Sequence, residues 1–184
     1  MVTQPTKART ALARYGGAVV IAVAATTSVN APAQAAPLDL TCTGNIEHVF
    51  DEPLSAGGSS NGTTQGSLVN CLSPNGSWPA LNSAKITSSF RAKSAPDANP
   101  CSLQLTLSRV AGTFTWNTGE VSDYVGSVNT DPRQGVVEIN FKVKNGPLSG
   151  DTGTVAPVVA RTNADCLTVG LRTLDLEAFQ IVFQ

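Results

Sequence analysis

The sequence has little charge, few aromatic rings and a single histidine. Of its 184 residues 14% are charged and 5% are aromatic, and His48 is the one histidine. It contains no run of Lys and Arg of the kind that follows a phosphate backbone, which argues against nucleic-acid binding. It also lacks a C-x-x-C pair for a structural zinc site. No repeat of fixed period indicates a solenoid.

The N-terminal residues have the pattern of a secretory signal peptide. Basic residues precede an apolar stretch from 16 to 25, and Ala33-Gln34-Ala35 fits a cleavage site. The apolar stretch is too short to span a membrane well, so a membrane anchor is the weaker alternative. We expect residues 1–35 to be removed and residues 36–184 to form one extracellular domain without membrane attachment.

All four cysteines lie beyond the predicted leader. An even number of cysteines in an exported protein predicts two disulfides. Of the three possible pairings we favour Cys71–Cys101 with Cys42–Cys166, because the first pair brackets one contiguous segment rich in turns. In the chain-entropy view a loop of that length stabilises the fold by roughly 3–4 kcal/mol.

Alternation of apolar and polar residues predicts an all-β protein. The pattern is cleanest from 137 to 143, and we interpret Leu171–Phe183 as a strand rather than a helix because its apolar residues alternate. The stretch Ser55–Gly66 is rich in Gly, Ser and Thr and is expected to be a loop. Eight or nine short strands predict an antiparallel β-sandwich, or a flattened barrel.

A hairpin is predicted from 112 to 128. Phe114 and Trp116 lie two residues apart and therefore share one face of a strand. Asn117-Thr118-Gly119 supplies the turn, since Asn and Gly accept positive φ. Beyond the turn Tyr124 lies on the face expected to anchor the core.

Two residues invite a catalytic interpretation. Any Ser-His-Asp mechanism in this chain must use His48, because it is the one histidine, and a structural role is favoured for it. Asp151-Thr152-Gly153 matches the short motif of aspartic proteases, which need two carboxyl groups sharing a proton. Because the chain has one such motif, a protease would require a homodimer, and a turn is the favoured interpretation.

Carboxylates could also serve glycoside hydrolysis or calcium binding, although neither pattern is specific. We assign no catalytic residue, no cofactor and no metal. The acidic pairs and the loop carboxylates considered are Asp51 with Glu52, Glu120 with Asp123, Asp175 with Glu177, and Asp131, Asp151 and Asp165.

Trp78 is the best candidate for contact with a ligand. Together with Trp116 and Tyr124 it could present an aromatic platform to a sugar ring. Core packing is favoured for Trp116, whereas Trp78 lies in a loop of Pro, Gly and Ser where no core is guaranteed. We therefore expect Trp78 to be exposed.

The order of several short motifs resembles a group of small secreted actinomycete proteins. The shared pattern is a W-N-x-G hairpin, a G-x-x-x-G-D turn and paired cysteines. The group is β-rich and has no assigned activity. The resemblance implies export, a β fold and framework roles for Trp116, Asn117, Gly119, Gly150 and Asp151. The residues that carry it are Cys42-Thr43-Gly44, Cys71, Cys101, the hairpin residues Trp116, Asn117 and Gly119, the turn residues Gly146, Gly150 and Asp151, and Cys166.

These observations predict an exported, non-enzymatic binding module or cell-envelope-associated protein. Its ligand is unknown, with a carbohydrate or another envelope component as the expectation. The alternative is a small secreted hydrolase that uses carboxylates on a glycan or a peptide. A surface-layer or spore-coat component is a third, structural option.

Overall fold

The structure, a computed structural model, describes residues 38–156 and 159–184. The predicted leader and its cleavage site lie outside the described residues. Within the described ranges no helix is long and apolar enough to cross a membrane. The described chain forms nine strands, namely β1 (Leu40–Leu54), β2 (Ser59–Leu72), β3 (Ala84–Lys93), β4 (Leu105–Trp116), β5 (Val121–Asp131), β6 (Val136–Asn145), β7 (Thr152–Ala156), β8 (Val159–Thr162) and β9 (Leu171–Phe183), with a short helix α1 (Cys166–Val169).

The strands close into a barrel. Neighbours pair in order from β1 to β7, β7 pairs with β9, and β9 pairs with β1, always antiparallel. Eight strands form the barrel, and β8 lies outside it on the edge of β9 beyond β7. The all-β prediction is confirmed in its strand number and direction, but a two-layer sandwich does not describe this sheet. The first and last strands join from Leu40↔Phe183 to Leu54↔Leu171, so the ladder returns on itself.

The two disulfides lie at opposite ends of the barrel. Cys42 bonds Cys71 across β1 and β2, where the register shifts, and Cys101 bonds Cys166, the first residue of α1. We call these the Cys42 end and the Cys101 end. The presence of two disulfides is confirmed.

The predicted disulfide pairing is wrong, because it ignores the length of the strands. Cys71 lies beside the start of β3 and Cys101 follows its end, so the ten residues of β3 separate them by about 30 Å. Cys42 and Cys166 are likewise at opposite ends of β1, since β9 begins beside Leu54. A short sequence separation therefore did not indicate closeness.

Aromatic rings fill the barrel toward the Cys42 end. The hairpin prediction is confirmed, with β4 and β5 joined by a turn in which Gly119 has φ 86°. Phe114 stacks on Tyr124 at 4.5 Å between ring centroids, and Trp116 is buried beside them. Phe141 and Phe183 complete the cluster, and a side chain at Gly153 would collide with the Phe141 ring.

A buried serine ties the hairpin to the turn between β6 and β7. Ser122 Oγ accepts a hydrogen bond from Trp116 Nε1 at 2.8 Å and donates one to the Pro147 carbonyl at 2.6 Å. Ser122 is fully buried, so water cannot replace either partner.

The segment predicted to be a loop from 55 to 66 is largely strand β2, and that prediction is wrong. Its inward positions are small because neighbouring side chains occupy the interior. A side chain at Gly62 would meet the ring of Phe90, and one at Gly66 would meet Ile46. The predictions of a strand from 137 to 143 and of a strand over Leu171–Phe183 are confirmed.

Candidate ligand-binding site in the barrel interior

Two small chambers adjoin inside the barrel. The central chamber has a volume of about 70 Å³ and lies against the aromatic cluster, with Phe114 and Tyr124 in its wall. The outer chamber has a volume of about 60 Å³ and extends toward the Cys101 end, where Leu103 and Pro132 line it. The chambers share the side chains of His48, Leu107, Val128, Ile139 and Leu176.

His48 stands between the chambers. It lies in the middle of β1 with its ring buried, edge-on to Phe90 at 5.5 Å between centroids. Its Nδ1 shares a hydrogen bond of 2.8 Å with Thr64 Oγ1 on β2. Burial lowers the pKa of His48 from 6.5 to about 4 because the charged ring would lose its hydration. The imidazole is therefore neutral at pH 7.

Two hydroxyl groups add polarity to the central chamber. Ser88 Oγ is buried and makes no hydrogen bond of normal geometry within the described part of the chain. The Tyr124 hydroxyl is its polar neighbour in the same wall. Burial raises the pKa of Tyr124, and the nearby Ser88 opposes that rise more weakly. Both hydroxyls are thus uncharged and have hydrogen-bonding capacity to spare.

The barrel wall is least complete beside the chambers. Pairing of β6 with β7 covers only three register positions and ends at Asn140↔Thr154. Ile139 and Val155, the next residues along each strand, both line the central chamber. Across residues 38–156 and 159–184 no pairing joins β6 to β8. The central chamber therefore lies beside the part of the wall where β6 and β7 no longer pair, at Ile139 and Val155, which we call the seam.

A second polar arrangement lies outside the chambers, at the Cys42 end. The carboxyl of Asp151, just before β7, contacts that of Asp39, just before β1. Burial and the negative charge of Asp39 raise the pKa of Asp151 to about 6. Asn75 Nδ2 donates a hydrogen bond to Asp39 Oδ1, so the Asp39 carboxyl contacts both this amide and Asp151.

The aspartic-protease motif thus has a second carboxyl group within the same chain, contrary to the expectation that a homodimer would be required. Sequence reasoning missed Asp39 because its surroundings, Leu38 and Leu40, do not repeat the D-T-G pattern. Neither Asp39 nor Asp151 lines either chamber.

Trp78 is half-buried and packs against the core, so it is less exposed than expected, and its contact with a ligand stays a prediction. Its backbone N–H donates to Ser73 Oγ at 3.0 Å, which holds the loop against the barrel. Trp116 and Tyr124 are core residues, as predicted. The three rings do not form one exposed platform.

The other acidic candidates are dispersed. Asp51, Glu52, Glu120 and Asp123 are exposed, and Glu177 pairs with Arg161 at 3.3 Å. None of the paired acidic residues lines a chamber.

The three candidate calcium ligands are not brought together. Asp131 accepts hydrogen bonds from Gln104 and Arg133, and Asp165 accepts one from Asn163. Among the residues with described positions, no group of three or more His, Cys, Asp or Glu side chains is arranged to hold a metal ion.

Comparison with known proteins adds no relative. No family model matches the chain, and neither the curated proteins nor the solved structures searched contain a match. The resemblance to small secreted actinomycete proteins therefore stays a prediction.

The sequence did contain a signal for the chamber residues, although we did not use it to predict a site. His48 shares the inward face of β1 with Phe50, and Ser88 shares that of β3 with Ile86 and Phe90. A polar residue in an apolar register indicates either a hydrogen bond inside the core or a polar group facing a cavity. Which of the two applies depends on the neighbouring strands.

Proposed function

We propose that this protein is an exported binding module that holds a small apolar ligand inside its barrel. The observation that carries the proposal is the pair of adjoining chambers. An eight-strand barrel is the size at which the interior is either filled by side chains or keeps room for one small ligand. Here aromatic rings fill one half, and the chambers occupy space beside them. The seam between β6 and the β7 edge offers a path from solvent.

Export and an extracellular location belong to the same proposal. Two disulfides are compatible with an oxidising compartment, and the N-terminal residues have the pattern of a leader. The framework positions implied by the resemblance fit a stable scaffold of this kind.

An apolar ligand fits this interior better than a carbohydrate. A sugar exposes many hydroxyl groups, each of which needs a hydrogen-bond partner when it is buried. Most side chains in the chamber walls are aliphatic or aromatic. The ones that carry a polar group are His48, Thr64, Ser88, Tyr124, Ser127, Thr130 and Asn140. Trp78, the residue proposed to stack on a sugar, is not among the residues that line either chamber.

A test uses benzene as the probe, since a cavity of about 150 Å³ holds that molecule in another protein and the two chambers together approach this size. At ten times its Kd, benzene should stabilise the protein by about 1.4 kcal/mol and raise the thermal midpoint. V128F fills the shared wall of the chambers and should abolish this rise, and V128L should reduce it.

The matched control is V125F, which makes the same change on the exposed face of the same strand. It should retain the full response to benzene. Absence of a response in the unmodified protein, or an equal response in V128L and V125F, contradicts the proposal.

A secreted hydrolase remains a second candidate because of the Asp39–Asp151 pair. Two carboxyl groups that share a proton are the arrangement aspartic proteases use. Acid cleavage of casein that D151N abolishes, and that D97N in an exposed loop leaves intact, would establish this function. Full cleavage by D151N, or no cleavage by the unmodified protein, would exclude it.

A further inference from the structure

We propose that the ligand of the barrel is a slender, uncharged molecule with an aliphatic body and one hydroxyl or carbonyl group, of the class of short-chain alcohols and ketones. This inference rests on the proposed function, because it specifies the chemistry of the molecule in the chambers. Three features of the chambers carry it: the lack of charged side chains in their described lining, a buried polar atom without a hydrogen bond of normal geometry, and the small size of the space.

Among the residues that the structure describes, none that lines either chamber is Lys, Arg, Asp or Glu, so these side chains offer no charge to pair with an ionised ligand. His48 is neutral at pH 7, so it supplies no positive charge. A carboxylate or an ammonium group buried here would lose its hydration without a counter-charge, which costs several kcal/mol. The site therefore selects against fatty acids and amines.

The central chamber contains a buried polar atom that makes no hydrogen bond of normal geometry in the described chain. His48 Nδ1 is occupied by Thr64. Ser88 Oγ has no partner of normal geometry in the described chain, and Tyr124 lies in the same wall. A buried hydroxyl without a partner loses free energy that a ligand hydroxyl or carbonyl restores by accepting or donating one hydrogen bond. The head of the ligand thus lies at Ser88.

The space is divided between two small chambers that share lining side chains, His48 among them. The outer chamber is also lined by Leu103, Leu105 and Leu174. Each chamber alone is less than half the size of a cavity that holds benzene. A slender chain with its head in the central chamber therefore suits spaces of this size, whereas a bulky ring system such as a sterol does not.

The experiment compares three probes that share one body: 1-hexanol, n-hexane and hexanoate at pH 7, each titrated by calorimetry or by NMR chemical shifts. We expect 1-hexanol to bind, n-hexane to bind about three- to tenfold more weakly because it lacks one hydrogen bond, and hexanoate to bind at least tenfold more weakly. S88A should remove most of the preference for 1-hexanol over n-hexane. The protein should stay folded, since Ser88 Oγ makes no hydrogen bond of normal geometry that the change would remove.

The control is S89A, on the exposed face of the same strand, which should keep the preference. Hexanoate binding as tightly as 1-hexanol, or an unchanged preference in S88A, overturns this inference while leaving the proposed function in place. If none of the three probes binds, and benzene does not bind either, the proposed function falls together with it.

Discussion

Burial of His48 makes the stability of the barrel depend on pH in a way that can be calculated. In the unfolded chain this histidine has its ordinary pKa of 6.5, and in the folded barrel its pKa is lowered to about 4. Between these values the unfolded chain binds a proton that the folded protein does not. The stabilising contribution is therefore complete above pH 6.5 and is lost as the pH falls toward 4.

The size of the effect follows from the two pKa values. One pKa unit corresponds to about 1.4 kcal/mol, so His48 alone should remove about 3 kcal/mol of the free energy of unfolding between pH 7 and pH 4. This conversion is appropriate because the ring is only 6% exposed, so solvent does not screen it. A loss of that size is a large part of the stability of a typical domain.

The measurement is urea denaturation of the unmodified protein and of H48Q at several pH values from 7 to 4. Glutamine is neutral throughout and can still hydrogen-bond to Thr64. The free-energy difference between the two proteins should shift by about 3 kcal/mol toward H48Q as the pH falls. Carboxyl groups titrate in both proteins and cancel in this difference.

The control is V49Q, which places the same glutamine on the exposed face of β1 next to His48. Its difference from the unmodified protein should not vary with pH. If H48Q shows the same pH dependence as the unmodified protein, the ring is solvated, and the description of a dry interior around His48 is refuted.

Three further predictions concern the scaffold. S122A should cost about 2–4 kcal/mol in urea denaturation, because it leaves an indole N–H and a carbonyl buried without partners. D151N should raise the thermal midpoint at pH 7 but not at pH 4: the raised pKa of Asp151 means that the unmodified protein loses stability as the pH rises from 3.8 through about 6. A tryptic digest without reductant should join the peptide that contains Cys101 to the one that contains Cys166, while Cys42 remains in an internally bonded peptide.

Each of these has its own control and contrary result. S127A, on the exposed face of β5, should cost less than about 0.5 kcal/mol of stability. An equally small cost for S122A would contradict the two buried hydrogen bonds of Ser122. D97N should shift the thermal midpoint equally at both pH values. The same behaviour in D151N would contradict the contact between Asp151 and Asp39. A peptide joining Cys71 to Cys101 would restore the pairing that the strand lengths exclude.

Local pattern was enough to predict most strands. Phe114 and Trp116 on one face, a turn at Gly119 and Tyr124 beyond it describe the hairpin as it folds, because period-two burial depends only on neighbouring residues. The sequence failed where burial depended on a neighbouring strand. The inward face of β2 consists of glycine and hydroxyl-bearing residues because Phe90 and Ile46 occupy the barrel interior beside it. Such a composition is also typical of a loop.

The candidate site was less predictable than the fold. His48 and Ser88 lie on the inward faces of β1 and β3, but the space between them exists only once β9 has closed on β1. Asp39 and Asp151 are far apart in sequence and meet because β1 and β7 both flank β9. Closure of the sheet is a property of the whole chain, so no local pattern could show either arrangement.

The most direct test of a ligand-binding interior is a crystal structure of the protein pressurised with xenon. The account predicts xenon in the central chamber, between Phe90 and Val128, because a dry apolar cavity takes up this gas. Xenon found only on the outer surface of the barrel, or ordered water filling both chambers, would contradict it.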